Sequence, residues 1–148
     1  MKIKNENLHT VFKSVIIEVL DNYEASQPGD TLSDLFIRFN EETGILTLFD
    51  DMGKNIFSVD LNEKDVSFQN DSKREFIYSA KEILNALEKE GVFNKEYIYK
   101  PFTVNLVDEN LVIQEELIFI DDNTLPLNND ILETLDKELD DFFNRLMN

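Results

Sequence analysis

The chain has 148 residues, enough for one domain with a real core, and it carries 14 basic against 31 acidic residues for a net charge of −17. Such a charge disfavours direct binding to nucleic acid or to an anionic membrane, because phosphates would be repelled. The absence of cysteine removes disulfides, thiolate metal sites and thiol nucleophiles, while a hydrophobic fraction of 42% with twelve phenylalanines is too apolar for a disordered acidic protein.

The first element predicted is a helix from about Leu8 to Tyr23. Leu8, Val11, Phe12, Val15, Val19 and Tyr23 recur at three- and four-residue steps, with Ile17 roughly opposite Leu8 on the otherwise polar side. The breaker Gln27-Pro28-Gly29-Asp30 ends it. Three strands follow: Leu35 to Phe39, Ile45 to Phe49 and Ile56 to Leu61. Turns at Glu41-Glu42-Thr43-Gly44 and Asp50-Asp51-Met52-Gly53 join them, and turns this short predict an antiparallel meander. A second helix is expected over Lys73 to Glu90, with Ser72 and Glu75 as a capping box and Gly91 as its stop.

A hairpin follows Pro101, made of Phe102 to Val107 and Leu111 to Ile120 about a turn at Asp108-Glu109-Asn110. Gln114-Glu115-Glu116 interrupts the alternation of its second strand and predicts a bulge or a break. Leu125-Pro126-Leu127 leads into a third helix, about Asn129 to Met147. Its apolar stripe holds Leu135, Leu139, Phe142 and Leu146, and its acidic face holds Asp130, Glu133, Asp136, Asp140 and Asp141. The expected fold is a single α+β domain over residues 1–148, with helices packed on an antiparallel sheet of about five strands in the order α-β-β-β-α-β-β-α.

Nothing in the chain spells out catalysis. There is no Gly-rich phosphate loop, nucleophile elbow or zinc-protease motif. His9 is the only histidine and stands at the border of the first helix's apolar face. Asp50-Asp51 and Asp121-Asp122 have hard-cation chemistry, but turn chemistry explains both pairs, and Met52 and Lys54 stand where further ligands would be needed. The expectation is no catalytic residue, no metal, no cofactor and no enzyme activity.

Apolar excess is the more informative signal. Phe36, Leu46 and Leu48 alternate with strand residues assigned to the core face, and Ile17 lies on the wrong side of its helix. These four are candidates for an apolar groove or a dimer patch, against the alternative that another part of the fold covers them. The acidic helix face is a candidate for a basic partner by imitation of DNA phosphates, against the alternative of a solvated surface.

The element order, together with Leu117-Ile118-Phe119-Ile120, the Leu125-Pro126-Leu127 step and the acidic last helix, resembles the class I chaperones of type III secretion. It also resembles the bacterial sensory-transduction-regulator family, which shares that fold. The chain departs from the chaperones in lacking the tryptophan often found in their last helix. The resemblance implies a homodimer, often using the second helix, that holds an extended client segment on apolar patches; the lack of cysteine fits the expected cytoplasmic, reducing compartment. The other expectation is an acidic inhibitor, such as a toxin-immunity or anti-nuclease protein, steered to a basic protein partner.

Overall fold

The computed structural model describes residues 6–26 and 29–121. The expected third helix, with Asp130, Glu133, Asp136, Asp140 and Asp141, and the Leu125-Pro126-Leu127 step fall outside the described residues.

Helix α1 spans Glu6–Ser26. Its stripe is buried as the periodicity requires: Leu8, Phe12, Val15, Ile16, Val19, Leu20 and Tyr23 are each at most 5% exposed. Strands β1 (Leu32–Phe39), β2 (Ile45–Phe49) and β3 (Asn55–Asp60) follow as an antiparallel meander. Gly44 closes the first turn at φ 78°, and a Cβ there would lie 2.6 Å from Asn62 Nδ2, which donates to the Thr43 carbonyl at 3.0 Å. Conformation therefore favours glycine here, and any Cβ would also push the Asn62 amide aside. The third strand stops a residue earlier than expected. Asp60 caps a single 3-10 turn, Leu61–Lys64, which packs the fully buried Leu61 into the core.

Helix α2 spans Ser72–Lys89. Its cap is Asp71, whose Oδ1 accepts from Arg74 N at 3.2 Å, and not Ser72 as the sequence suggested. Glu75 reaches past Ser72 to the backbone N–H groups of Gln69 and Asn70. An aspartate one residue upstream accepts as well as serine does, and its charge also suits the positive end of the helix. Gly91, at φ 82°, ends the helix as expected, with Val92 N donating to Leu87 O at 3.0 Å.

Strands β4 (Ile98–Val107) and β5 (Ile113–Ile120) complete a sheet of order β3-β2-β1-β4-β5. The sheet is mixed, which corrects the expectation of an antiparallel one: β4 runs parallel to β1, with Leu35 opposite Val104 and Ile37 opposite Leu106. The reason lies in the connection. The chain leaves β3 through α2 and re-enters the sheet beside β1, and a crossover through a helix lets the two strands run the same way. The bulge expected in β5 is present. Its ladder slips between Val104 and Asn105 and again between Leu106 and Val107, leaving Leu117 and Gln114 without an opposite residue.

Both described helices pack on one face of the sheet. Phe76 of α2 meets Phe12 of α1 edge to face at 5.6 Å and stacks on Phe39 of β1 at 4.9 Å, so one ring ties the three elements together. The loop after α2 adds Phe93 against Phe102 and Tyr97 against Tyr23. On the opposite face Thr47, Phe49, Asn105 and Val107 are also buried, and the Arg38 guanidinium lies 5.2 Å over the Phe49 ring.

Candidate functional site

The four apolar candidates do not form one patch. Leu46 and Leu48 are fully buried. The β1–β2 register sets Leu48 opposite Ile37 and Leu46 opposite Phe39, so both point at the helices and not away from them. They belong to the core and offer nothing to a partner. Phe36 lies on the other face, half-buried, opposite Phe49 and Asn105. Ile17 is half-buried and packs against the core from α1. The parity of β2 was not decidable from Ile45 to Phe49, because four of those five residues are apolar and either set could face inward.

The exposed apolar surface lies elsewhere. Among the described residues eight large apolar side chains are exposed, and five of them gather around the β4–β5 hairpin: Leu111, Val112, Ile113, Phe119 and Met52. The hairpin turn is built by Asp108. Its backbone carbonyl accepts from Leu111 N, and its Oδ1 accepts from Asn110 N at 2.8 Å and Val112 N at 3.0 Å. This arrangement holds Leu111 at φ 61°, a left-handed conformation that glycine or asparagine adopts at less cost.

The Leu111 side chain compensates by seating beside the β2–β3 turn, where a Cβ on Gly53 would touch its Cδ1 at 3.4 Å. The same turn carries Met52, 88% exposed, and Leu111 is followed along the hairpin by Val112 and Ile113, both more than half exposed. Ile113 sits opposite Val107 and Phe119 opposite Thr103, so both emerge on the same face of β5, the edge strand. The exposed Glu116, opposite Asn105, lies between Ile113 and Phe119 on that face, and Asp108, Glu109 and Asp121 are the nearest carboxylates along the chain. The sequence did not show that Ile113 and Phe119 would share a face, because Gln114-Glu115-Glu116 interrupts the alternation between them. It did not show the meeting of two turns separated by some sixty residues of chain.

A second cluster occupies the start of β1, where Asp30, Asp34, Asp50 and Asp51 border an open cleft with Tyr23 and Met52. Asp50 is 4% exposed, and its Oδ1 accepts from Met52 N at 2.9 Å and Lys54 N at 2.8 Å. Asp51 Oδ2 accepts from the Ser33 backbone N–H at 3.1 Å and faces the Ser33 hydroxyl at 3.2 Å. Asp34 Oδ1 accepts from the Thr103 hydroxyl. These carboxylates hold turns and join strands, and among the described residues no group of three or more histidine, cysteine or carboxylate side chains is disposed to hold a metal ion. Burial pushes the Tyr23 hydroxyl above its ordinary 10.0, with Asp51, Asp50 and Asp30 adding to the shift.

His9 faces α2, with Nε2 3.5 Å from Glu82 Oε2. Its side chain is 14% exposed, and its place is the α1–α2 contact, away from the exposed apolar side chains of the hairpin and from the cleft. Within the described residues no helix is long and apolar enough to cross a membrane. No protein-family model, curated protein or solved structure matches the chain.

Proposed function

We propose that the protein is a non-enzymatic polypeptide-binding protein, a dimeric adaptor of the secretion-chaperone kind that acts in the cytoplasm and needs no cofactor. The observation that carries this reading is that five of the eight exposed large apolar side chains among the described residues, Met52, Leu111, Val112, Ile113 and Phe119, fall on the β4–β5 hairpin and the turn beside it, on a chain of net charge −17. Exposed apolar side chains concentrated on one hairpin and set among polar ones are a feature of binding surfaces on soluble proteins. The neighbouring carboxylates keep the surface soluble and favour client segments that combine apolar residues with lysine or arginine.

The acidic cleft at Asp30, Asp34, Asp50 and Asp51 favours a second reading, an acidic inhibitor of a basic partner such as a toxin or a nuclease. Salt separates the two. Fluorescence anisotropy with labelled peptides, apolar-basic in one set and purely basic in the other, is measured at about 0.1 M and about 1 M salt, where the Debye length falls from about 10 to about 3 Å. The adaptor reading expects the apolar-basic peptides to keep most of their affinity at high salt. Preferred binding of the purely basic set, lost at high salt, overturns it in favour of the inhibitor.

A further inference from the structure

The sheet has two edges, and they differ in what they can accept. At β5 the ladder is broken by two bulges, and Glu115 and Glu116 stand between them. Bulges and charged side chains are devices that keep an edge from pairing with its own kind. In a two-fold pairing of β5 with a second copy, these carboxylates would approach one another.

The β3 edge has neither device over residues 57–59. Leu61 N donates to Gly44 O at 2.9 Å, and the pairs Val59–Leu46 and Phe57–Leu48 continue that set at two-residue steps. Phe57 and Val59 therefore turn their backbone groups toward β2, and Ser58, between them, turns its N–H and C=O outward. Ser58 is exposed, while the Phe57 and Val59 side chains are only half-buried against the core. A groove of about 200 Å³ separates α1 from β3 beside Asn55 and Phe57, so the helix does not close over the strand.

We infer that this edge is the contact between two copies of the chain, paired antiparallel about a two-fold axis through Ser58. In that register each Ser58 exchanges its N–H and C=O with its symmetry mate. Phe57 stands across from Val59 twice, on the face that carries the apolar core, and the one acidic residue of the segment, Asp60, stands across from Ile56. No like charges are opposed, and the apolar area left half-covered at Phe57 and Val59 is buried by the second sheet. The short pairing segment, bounded by the bulge at Ile56 and the 3-10 turn at Leu61, makes the association concentration-dependent. The −17 carried by each copy makes it stronger as salt is raised. The inference rests on the dimeric part of the proposed function and is independent of client binding.

The axis through Ser58 gives a specific test. In hydrogen-bonded antiparallel pairs the opposed Cα atoms lie about 5.5 Å apart, so a charge placed at Ser58 meets its own copy. Sedimentation velocity of the full chain is compared for the wild type, Ser58→Lys, Ser58→Glu and an equimolar mixture of the two variants. The expected result is a dimer of twice the 17.3 kDa chain mass for the wild type, monomers for each variant alone, and a dimer restored in the mixture. Circular dichroism of each variant accompanies the runs, and the mixture supplies a gain of association that misfolding cannot imitate. A dimeric wild type whose single variants stay dimeric, or whose mixture stays monomeric, overturns the β3 contact and leaves the dimer standing. A wild type that is monomeric at its highest soluble concentration in high salt overturns both.

Discussion

Replacing Leu48 by serine tests the placement of β2 directly. Leu48 is fully buried opposite Ile37, in the layer beneath the helices. Truncation of a buried leucine to the size of alanine costs about 2–5 kcal/mol through lost transfer energy and a residual cavity. A hydroxyl left without a partner in that cavity adds about 1–3 kcal/mol. A total of roughly 4 kcal/mol or more is a large part of the 5–15 kcal/mol that holds a domain of this kind folded. With a urea dependence near 2 kcal/mol per molar, the unfolding midpoint falls by roughly 2 M.

Phe119→Ser is the matched control. That side chain is 55% exposed on the edge strand, so less than half of its burial free energy is at stake, on the order of 1 kcal/mol. The half-buried Ile17 and Phe36 fall between the two. Urea titrations of Leu48→Ser, Leu46→Ser, Phe36→Ser, Ile17→Ser and Phe119→Ser then rank by burial. If Leu48→Ser melts with the parent, or Phe119→Ser loses as much as Leu48→Ser, the β1–β2 register given above is wrong.

Other consequences are local. Asp71→Ala removes the α2 cap and lowers stability by about 1 kcal/mol, whereas Ser72→Ala leaves the thermal midpoint nearly unchanged. The reverse order would restore Ser72 as the cap. Gly44→Ala forces a left-handed alanine and displaces Asn62, at a cost of about 1–2 kcal/mol for the backbone alone, read by thermal melting. The Tyr23 hydroxyl titrates above its unfolded value of 10.0, so the folded state holds its proton longer than the unfolded chain does. Its contribution is complete below pH 10.0 and is lost as pH rises through the folded value. Tyr23→Phe therefore flattens the alkaline fall in stability relative to the parent, and parallel curves above pH 10.0 would remove the role given to burial at this position.

Where periodicity had one solution, the chain was legible. The α1 stripe, the α2 stripe with its glycine stop, strand β2 and β1 from Leu35 onward follow from spacing alone, while β1 begins three residues earlier, at Leu32. The interruption at Gln114-Glu115-Glu116 does appear as slips in the β5 ladder. Periodicity is blind to which strands become neighbours, so the parallel pairing of β1 with β4 was invisible: it depends on where the crossover through α2 returns the chain. It is equally blind to parity in a strand apolar on both faces. For that reason spacing leaves Leu46 and Leu48 open between a groove and the core, and it does not disclose the burial of Thr47 and Phe49 on the opposite face. The exposed apolar group was harder still, because it depends on a left-handed leucine meeting a glycine in a distant turn.

The central claim is that the exposed apolar surface around the β4–β5 hairpin binds extended apolar-basic polypeptide. The most direct measurement is the affinity of the apolar-basic peptides for the parent protein and for the double variant Ile113→Ser/Phe119→Ser, at high salt and with folding verified in the same samples. Two exposed apolar anchors worth about 1–2 kcal/mol each at an interface predict a loss of tenfold or more with the fold retained. Equal affinity for the parent and the folded double variant would contradict the claim.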